Sequence, residues 1–525
     1  KVRVPADGVY AIRFESVHHH ATVWLDGKVI ARHTGVYLPF ERKVRLRKDA
    51  PSTLVVRADY RDPYEQKRQG WHRTWFNFGG INREVTLRPV GLSEIGEPEI
   101  RTRLRADGTA LVDVDLHVTN RSQSARTLPV VGVLRRGEET HELRFPSVAA
   151  DPRQTAVVTA RVAIPDAALW EPGNPELYDL DVAVPGESSY TMRVGLRQLD
   201  FKGSRMWLNG KRLKLHGASI HEDVKGRGDA LVPEDMDGIV AGLKAINANA
   251  TRSQHPLSPA LLERFDAAGI LVWLGLGPVD APGSWTSRTP AQKRVARERT
   301  RETYFQSQPH PSVIAWNLAN EVAGQGRKEG QIDFIDDMAK WLHGRDPGRM
   351  TAVDVWGADT PREKLGRLYR NLDAIAVTNY VGWYEIPLAS ASAKAARIRD
   401  RTDQFLRTFK GKVTIISEFG AEANTHNPSP RPGSFTFQTQ FLRQHIEAYR
   451  NRSALSGMLI WNLRDFGVAP TFAGGSISKQ VPGIKIVRGV NQKGLFDHNA
   501  RPKPSVDVVA KLFAPLGTGL TAAGG

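Results

Sequence analysis

Two glutamates in this 525-residue sequence stand where a carboxyl is costly unless it is paired, exposed or at work. Glu321 closes the run Val313-Ile314-Ala315-Trp316-Asn317-Leu318-Ala319-Asn320-Glu321, and Glu418 follows Val413-Thr414-Ile415-Ile416-Ser417. Either one alone reads first as a helix cap or a salt-bridge partner. Two of them, each ending an apolar strand of one sheet, share a chemistry. One carboxylic acid protonates a departing glycosidic oxygen while the other attacks or activates water, and a separation of roughly 5–5.5 Å gives retention through a covalent glycosyl-enzyme. The acid is kept protonated by its negative neighbour, and it turns into a base once the sugar ester neutralises that neighbour.

Such a pair needs a scaffold that ends several strands at one place. After about residue 198 the sequence alternates short apolar strands with helical segments, the pattern of a parallel sheet with crossover helices. Eight strands are predicted, at Leu213–Gly217, Ala248–Arg252, Ile270–Leu274, Val313–Leu318, Thr351–Val355, Ala374–Thr378, Val413–Ser417 and Met458–Asn462. They indicate a TIM barrel, in which function collects at the C-terminal ends of the strands. A helix is expected over Pro259–Ala268, with Leu261, Leu262 and Phe265 on one face and Gly269 as its stop. The competing doubly wound sheet lacks a Gly-x-Gly-x-x-Gly fingerprint after any early strand.

Ahead of the barrel the period is two. Tyr10-Ala11-Ile12-Arg13-Phe14 alternates, and Ala21-Thr22-Val23-Trp24-Leu25 runs into Asp26-Gly27, a hairpin signal. Alternation continues through Ala110-Leu111-Val112-Asp113-Val114-Asp115-Leu116-His117-Val118 with no helical period. The expected organisation is therefore a β-sandwich over residues 1–92, a second β-sandwich over 93–197, and the barrel over 198–525.

Composition excludes several alternatives. There are 73 Lys and Arg against 56 Asp and Glu, a net charge of +17, so the molecule draws anions and responds to salt. The charges are dispersed without a nucleic-acid-binding signature, so no nucleic acid partner is expected, although an acidic substrate would be favoured. With 0 Cys, disulfides, thiolate metal sites and a cysteine nucleophile are excluded. No apolar run of roughly eighteen residues exists, so no membrane helix is expected and the protein reads as soluble. His18, His19 and His20 are consecutive on a strand and cannot all face one point, and neither they nor His216, His221 and His255 form a zinc pattern. No metal is expected. The chain opens on Lys1-Val2-Arg3-Val4-Pro5 without Met, which implies a preceding segment and leaves localisation open.

Several motifs, in order, carry a resemblance. Gly79-Gly80-Ile81-Asn82-Arg83 closes the first unit, and Leu169-Trp170-Glu171-Pro172 and Pro175-Glu176-Leu177-Tyr178 lie in the second. Leu215-His216-Gly217 opens the barrel, and Asn320-Glu321 and Ser417-Glu418-Phe419-Gly420 complete the set. Over essentially its whole length the chain resembles glycoside hydrolase family 2, which contains β-galactosidases, β-glucuronidases and β-mannosidases. The resemblance implies a jelly-roll-like sugar-binding sandwich, an immunoglobulin-like sandwich and a catalytic barrel. It also implies a retaining exo-β-glycosidase that needs no cofactor and acts on a carbohydrate or glycoconjugate. Glu321 is then acid/base, Asn320 holds the sugar 2-hydroxyl, and Glu418 is the nucleophile.

Asn379-Tyr380-Val381-Gly382-Trp383-Tyr384 and Asn491-Gln492-Lys493-Gly494 are most similar to the family's β-glucuronidases. That similarity implies terminal β-D-glucuronides as substrate, with Asn491 and Lys493 reading the sugar carboxylate through neutral and charged donors. A plain polar turn at Asn491–Gly494 is the competing reading. Further expected sugar contacts are His221, Asn379, Tyr380, Tyr384, Arg488 and the Trp461 platform, with His216, Arg252 and His255 near the ends of the first two strands. Two departures stand against this likeness: Thr74 replaces an Asp, and Trp273-Leu274-Gly275-Leu276-Gly277 lacks an acidic pair. A β-galactosidase or another uronidase therefore stays open, as do a non-catalytic carbohydrate-binding protein and the homo-oligomeric state.

Overall fold

The structure, a computed structural model, describes residues 1–61, 78–276, 290–322, 331–360, 366–470, 472 and 474–522. Its first part is two facing antiparallel sheets. Gly8–Phe14 lies between Phe40–Leu46 and Val85–Pro89, and Val17–Leu25 lies between Lys28–Gly35 and Leu54–Asp59. The hairpin read from Asp26-Gly27 is present. Both residues have positive φ, 47° and 79°, so the turn twists with its strands. Ile12, Phe14, Val17, Ala21 and Val23 fill the space between the sheets.

The second sandwich is built on Ala110–Asn120, an 11-residue strand whose alternate side chains Val112, Val114, Leu116 and Val118 are buried. It pairs with Thr155–Ile164 on one side and with Ser93–Ile95 and Glu99–Leu104 on the other. The facing sheet runs Glu139–Arg144, Val131–Arg136, Tyr178–Val184, Ser188–Val194.

Eight parallel strands then close into a barrel. They are β1 (Leu215–Ser219), β2 (Ala250–Arg252), β3 (Leu271–Gly275) and β4 (Val313–Asn317), followed by β5 (Met350–Val355), β6 (Ala374–Thr378), β7 (Val413–Glu418) and β8 (Gly457–Ile460). Parallel pairing of β1 with β8 closes it, and every residue of these strands is buried, as parallel strands covered by helices must be. The helix Pro259–Ala268 forms as its periodicity requires, burying Leu261, Leu262 and Phe265 and stopping at Gly269 with φ 70°.

The first strand departs furthest from its expectation, the others shifting by no more than two residues at an end. Leu213 belongs to Lys211–Leu213, part of a small antiparallel sheet whose apolar residues pack with the barrel interior at its N-terminal end, and β1 starts only at Leu215. Local hydrophobicity cannot separate the two, because Leu213 and Leu215 are both buried. The shift carries β1 on to Ser219 and moves His216 to the opposite end from the one expected.

Interlocked polar contacts join the sandwiches to the barrel. The Gln308 amide donates to the Ile100 carbonyl and accepts from the Ile100 N–H, both at 2.8 Å, as a neighbouring strand would. Arg83 donates to Glu222 at 2.7 Å and lies over the Tyr37 ring, which stacks on His255 at 4.3 Å.

Candidate active site

Glu418 is the last residue of β7, and every hydrogen bond to its carboxyl comes from a donor. Oε1 accepts from Arg252 Nη1 and Gln254 Nε2, each at 2.9 Å, and Oε2 accepts from the Tyr380 hydroxyl at 2.8 Å. Arg252 ends β2 and is itself held by Asp354 of β5, whose Oδ2 accepts from Nε at 3.0 Å and from Nη2 at 2.5 Å. Asn317 Nδ2 donates to the same oxygen at 2.7 Å. A fully buried guanidinium thus lies between two buried carboxylates, the arrangement that makes buried charge tolerable. Burial holds the Glu418 carboxyl above its usual range, with Arg252 and the Tyr380 hydroxyl pulling it down and the Asp354 charge adding to the rise. Burial and the Glu418 charge push the Tyr380 hydroxyl well above its usual range, so it keeps its proton and stays a donor.

Glu321 lies four residues beyond β4 in the left-handed region, with φ 45°, a conformation that costs roughly 1–2 kcal/mol outside glycine. The neighbouring backbone enforces it. Asp354 N–H donates to the Ala319 carbonyl and Val322 N–H to the Asp354 carbonyl, both at 2.8 Å, so residues 319–322 are stitched to the end of β5. Beside it, Asn320 Oδ1 accepts from Arg252 Nη2 at 2.5 Å and from Gln254 Nε2 at 3.1 Å. Those two donors fix the amide orientation. Its buried NH₂ has no hydrogen-bond partner among the described residues, leaving a pre-aimed donor next to Glu321.

Both glutamates line one cavity of about 310 Å³, together with Gln254, Tyr380, Tyr384, Trp461, Asn491 and Lys493. Trp461 forms part of its wall, with Arg252 5.7 Å from the ring centroid. Lys493 Nζ donates to the Tyr384 hydroxyl at 3.0 Å and to Glu422 Oε1 at 3.1 Å. Burial works against this ammonium, but Glu422 and Tyr384 outweigh it and hold Lys493 above its usual range, so it is charged. Asn491 Oδ1 accepts from the Lys493 N–H at 3.2 Å, and Asp465 Oδ1 accepts from the Gly494 N–H at 2.9 Å, which positions the segment.

Other expected contacts fall elsewhere. His221 is buried behind Trp461, edge-on at 5.2 Å and against Phe466 at 4.2 Å, and does not line the cavity. Asn379 donates its amide to the Tyr449 hydroxyl at 2.8 Å, inside the barrel wall. Arg488 is exposed and outside the lining. His255 packs on Tyr37, and His216 lies at the start of β1, at the far end of the barrel. Thr74 and Gly277 lie outside the described residues.

Three residues of this constellation were given no role from the sequence. Gln254 follows β2 by two residues, with no motif to mark it. Asp354 had a signal, a carboxyl inside the apolar run Met350–Val355. Glu422 follows Glu418 by four residues, but only folding brings it to Lys493.

The chain matches the family model for the TIM barrel domain of glycosyl hydrolases family 2 over residues 199–515, and a second model of glycosyl hydrolases family 2 over residues 93–197. It is 26% identical to a beta-glucuronidase of Paenibacillus borealis, covering 96% of this chain and 84% of that protein. It is 25% identical to a beta-glucuronidase of Streptococcus agalactiae, covering 98% of this chain and 87% of that one. Among solved structures, a GH2 beta-galacturonidase from Eisenbergiella tayi bound to galacturonate superposes with a TM-score of 0.82 at 24% identity, over 98% of this chain and 88% of that chain. The beta-D-glucuronidase of Dictyoglomus thermophilum gives 0.77 at 21% identity, over 98% and 88%. At these identities the structural likeness is one of fold.

Proposed function

The chain belongs to glycosyl hydrolase family 2 and is a glycoside hydrolase, and from that membership we propose that it removes terminal β-D-glucuronic acid with retention of configuration. The observation that carries the sugar assignment is the charged Lys493, which shares a cavity with Glu321 and Glu418 and has the Tyr384 hydroxyl as an adjustable neighbour. A uronate carboxylate fits an ammonium at that wall. Glu422 already neutralises Lys493 in part, so the carboxylate shares the cation with it, and Asn491 supplies a neutral donor.

The chemistry then follows from the two carboxyls. Glu418 attacks the anomeric carbon through Oε2, the oxygen that carries one donor against two on Oε1. Glu321 gives its proton to the glycosidic oxygen, and the aglycone leaves as an alcohol. The Asn320 NH₂ donates to the sugar 2-hydroxyl, a contact that tightens as the ring becomes oxocarbenium-like. In the second half Glu321 takes a proton from water, the water oxygen bonds to the anomeric carbon, and Glu418 departs as a carboxylate. Tyr380, Gln254 and Arg252 stabilise that carboxylate at both ends of the cycle. This reading also keeps the divisions at residues 1–92, 93–197 and 198–525.

An ammonium reads a carboxylate without reading the 4-hydroxyl, so a β-galacturonide is the second reading. Nitrophenyl β-glucuronide, β-galacturonide and β-galactoside, assayed with the wild type and Lys493→Ala, separate them. Glucuronide turnover by the wild type is expected, with Lys493→Ala losing about 100-fold or more in kcat/KM on the uronide and far less on the galactoside. Equal losses on charged and neutral sugars would remove the carboxylate role. Glu418→Ala is expected to lower kcat by about 10⁴-fold or more, and NMR of the first-formed sugar is expected to show the β-anomer.

A further inference from the structure

We infer that the N-terminal end of the barrel carries a second binding site, for a small organic anion: one phosphate, sulfate or carboxylate group on an apolar body. A cavity of about 410 Å³ opens there, where the start of β1 and β8 meet the end of the helix Phe435–Arg450 and the segment around Pro515–Thr521. The glutamates stand at the other ends of the strands, so this cavity is not an extension of the active site.

Its charge is one-sided. Arg205, Arg212, Lys214 and Arg450 line it, and no Asp or Glu does among the described residues. Arg212 donates to the Ser453 carbonyl at 3.2 Å and Lys214 to the Arg452 carbonyl at 3.0 Å, while Arg212 Nε is buried with no hydrogen-bond partner among the described residues. Those carbonyls lie just past the end of the helix, whose C-terminus offers about half a negative charge, against four formal positive ones. Burial, and then Arg205, pulls the Arg212 guanidinium down, and burial, and then Arg212, does the same to Lys214.

A cavity of similar volume between the second sandwich and the barrel also holds several arginines, but there Arg101 meets Asp115 at 2.6 Å and Arg103 meets Asp113 at 3.1 Å. With no carboxylate lining the barrel-end cavity among the described residues, an incoming anion would relieve the repulsion among its four cations. The wall also has an apolar part, with Leu215, Leu455, Met458 and Leu516, so an anion on a hydrocarbon body matches it better than a bare ion. The volume is that of a small-molecule site, in the range of about 300–1,000 Å³.

The test is calorimetric titration of the full chain with phenyl phosphate, phenyl sulfate and benzoate, with benzyl alcohol and inorganic phosphate for comparison. At least one aromatic anion is expected to bind and to raise Tm, more tightly than inorganic phosphate and with no counterpart for benzyl alcohol. Arg212→Gln with Lys214→Gln should weaken that binding by about tenfold or more, the loss of two charge-assisted hydrogen bonds. Arg205→Gln with Arg450→Gln, at the more exposed rim, should weaken it too and serves if the first pair fails to fold. Lys493→Gln, at the active-site cavity, should leave it unchanged. No binding by any of the three anions, unchanged affinity in both double variants, or loss of binding in Lys493→Gln would overturn the proposal.

Discussion

Each oxygen of Glu418 accepts from donors, and Arg252 among them is held by Asp354, so the carboxylate has little freedom to rotate. Of the three, Tyr380 is the one donor to Oε2, and its removal leaves the guanidinium pair intact. Its hydrogen bond favours the charged carboxylate, so Tyr380→Phe should raise the Glu418 carboxyl and move the acid limb of the kcat/KM–pH profile to higher pH, with kcat reduced. An acid limb that stays in place, or moves down, would show that another group titrates there. Much of this constellation was legible in advance. Glu418 ends an apolar strand and Asn320 and Glu321 lie within four residues of another's end, and a carboxyl in that place announces itself. Arg252 stood in the sequence as a supporting residue only, and nothing local says that it bridges to Asp354.

At the scale of elements, the placement of Glu321 and Glu418 depends on how closely strands approach one another at the C-terminal rim. Gly420 follows Glu418 by two residues, and a methyl placed on it would come within 1.9 Å of the Trp461 carbonyl oxygen. That obstacle is backbone and cannot swing away, so Gly420→Ala must part the end of β7 from the end of β8. A misplacement of about 1 Å is enough to cost roughly 100-fold in rate. The variant is expected to fold, by circular dichroism, while losing activity of about that order. Near-wild-type kcat would mean that the rim tolerates the shift. The motif Ser417-Glu418-Phe419-Gly420 displayed this glycine in the sequence, but its steric reason exists only once β8 is alongside. The misplaced first strand shows the converse, since Leu213 and Leu215 have equal hydrophobicity and only their pairing partners assign them to different sheets.

For the whole molecule, the joints between the sandwiches and the barrel are polar and buried, which makes them sensitive to protonation. Asp229 of the barrel accepts from Asn82 of the first sandwich, and burial raises its carboxyl to about 8, with Asn82 opposing and Glu222 adding to the rise. The folded chain therefore holds a proton there that the unfolded chain, with its carboxyl near 4, gives up. Stability from this group is full below about pH 4 and is lost as pH rises toward about 8, by at most about 1.4 kcal/mol per unit. Asp229→Asn removes the titration and can still accept from Asn82. Its Tm advantage over the wild type should grow from pH 5 to about pH 8 and then level off, and parallel Tm curves would contradict the assignment.

Period-two and helical patterning, the order of the family motifs and the two strand-terminal glutamates were set by residue types at short spacings, which a chain displays before it folds. The sandwich–sandwich–barrel architecture followed from them, as did the choice of Glu321 and Glu418 as the proposed reacting carboxyls. Closure of the barrel decided the rest, because it brings Arg252 and Glu418 into contact from 166 positions apart and Lys493 to Glu422 from 71. It also decided which end of a strand a residue faces, moving His216 out of the active site and into the wall of a basic cavity that no local pattern reveals. Local periodicity encodes burial, whereas partnership between distant charges is settled only when the strands meet.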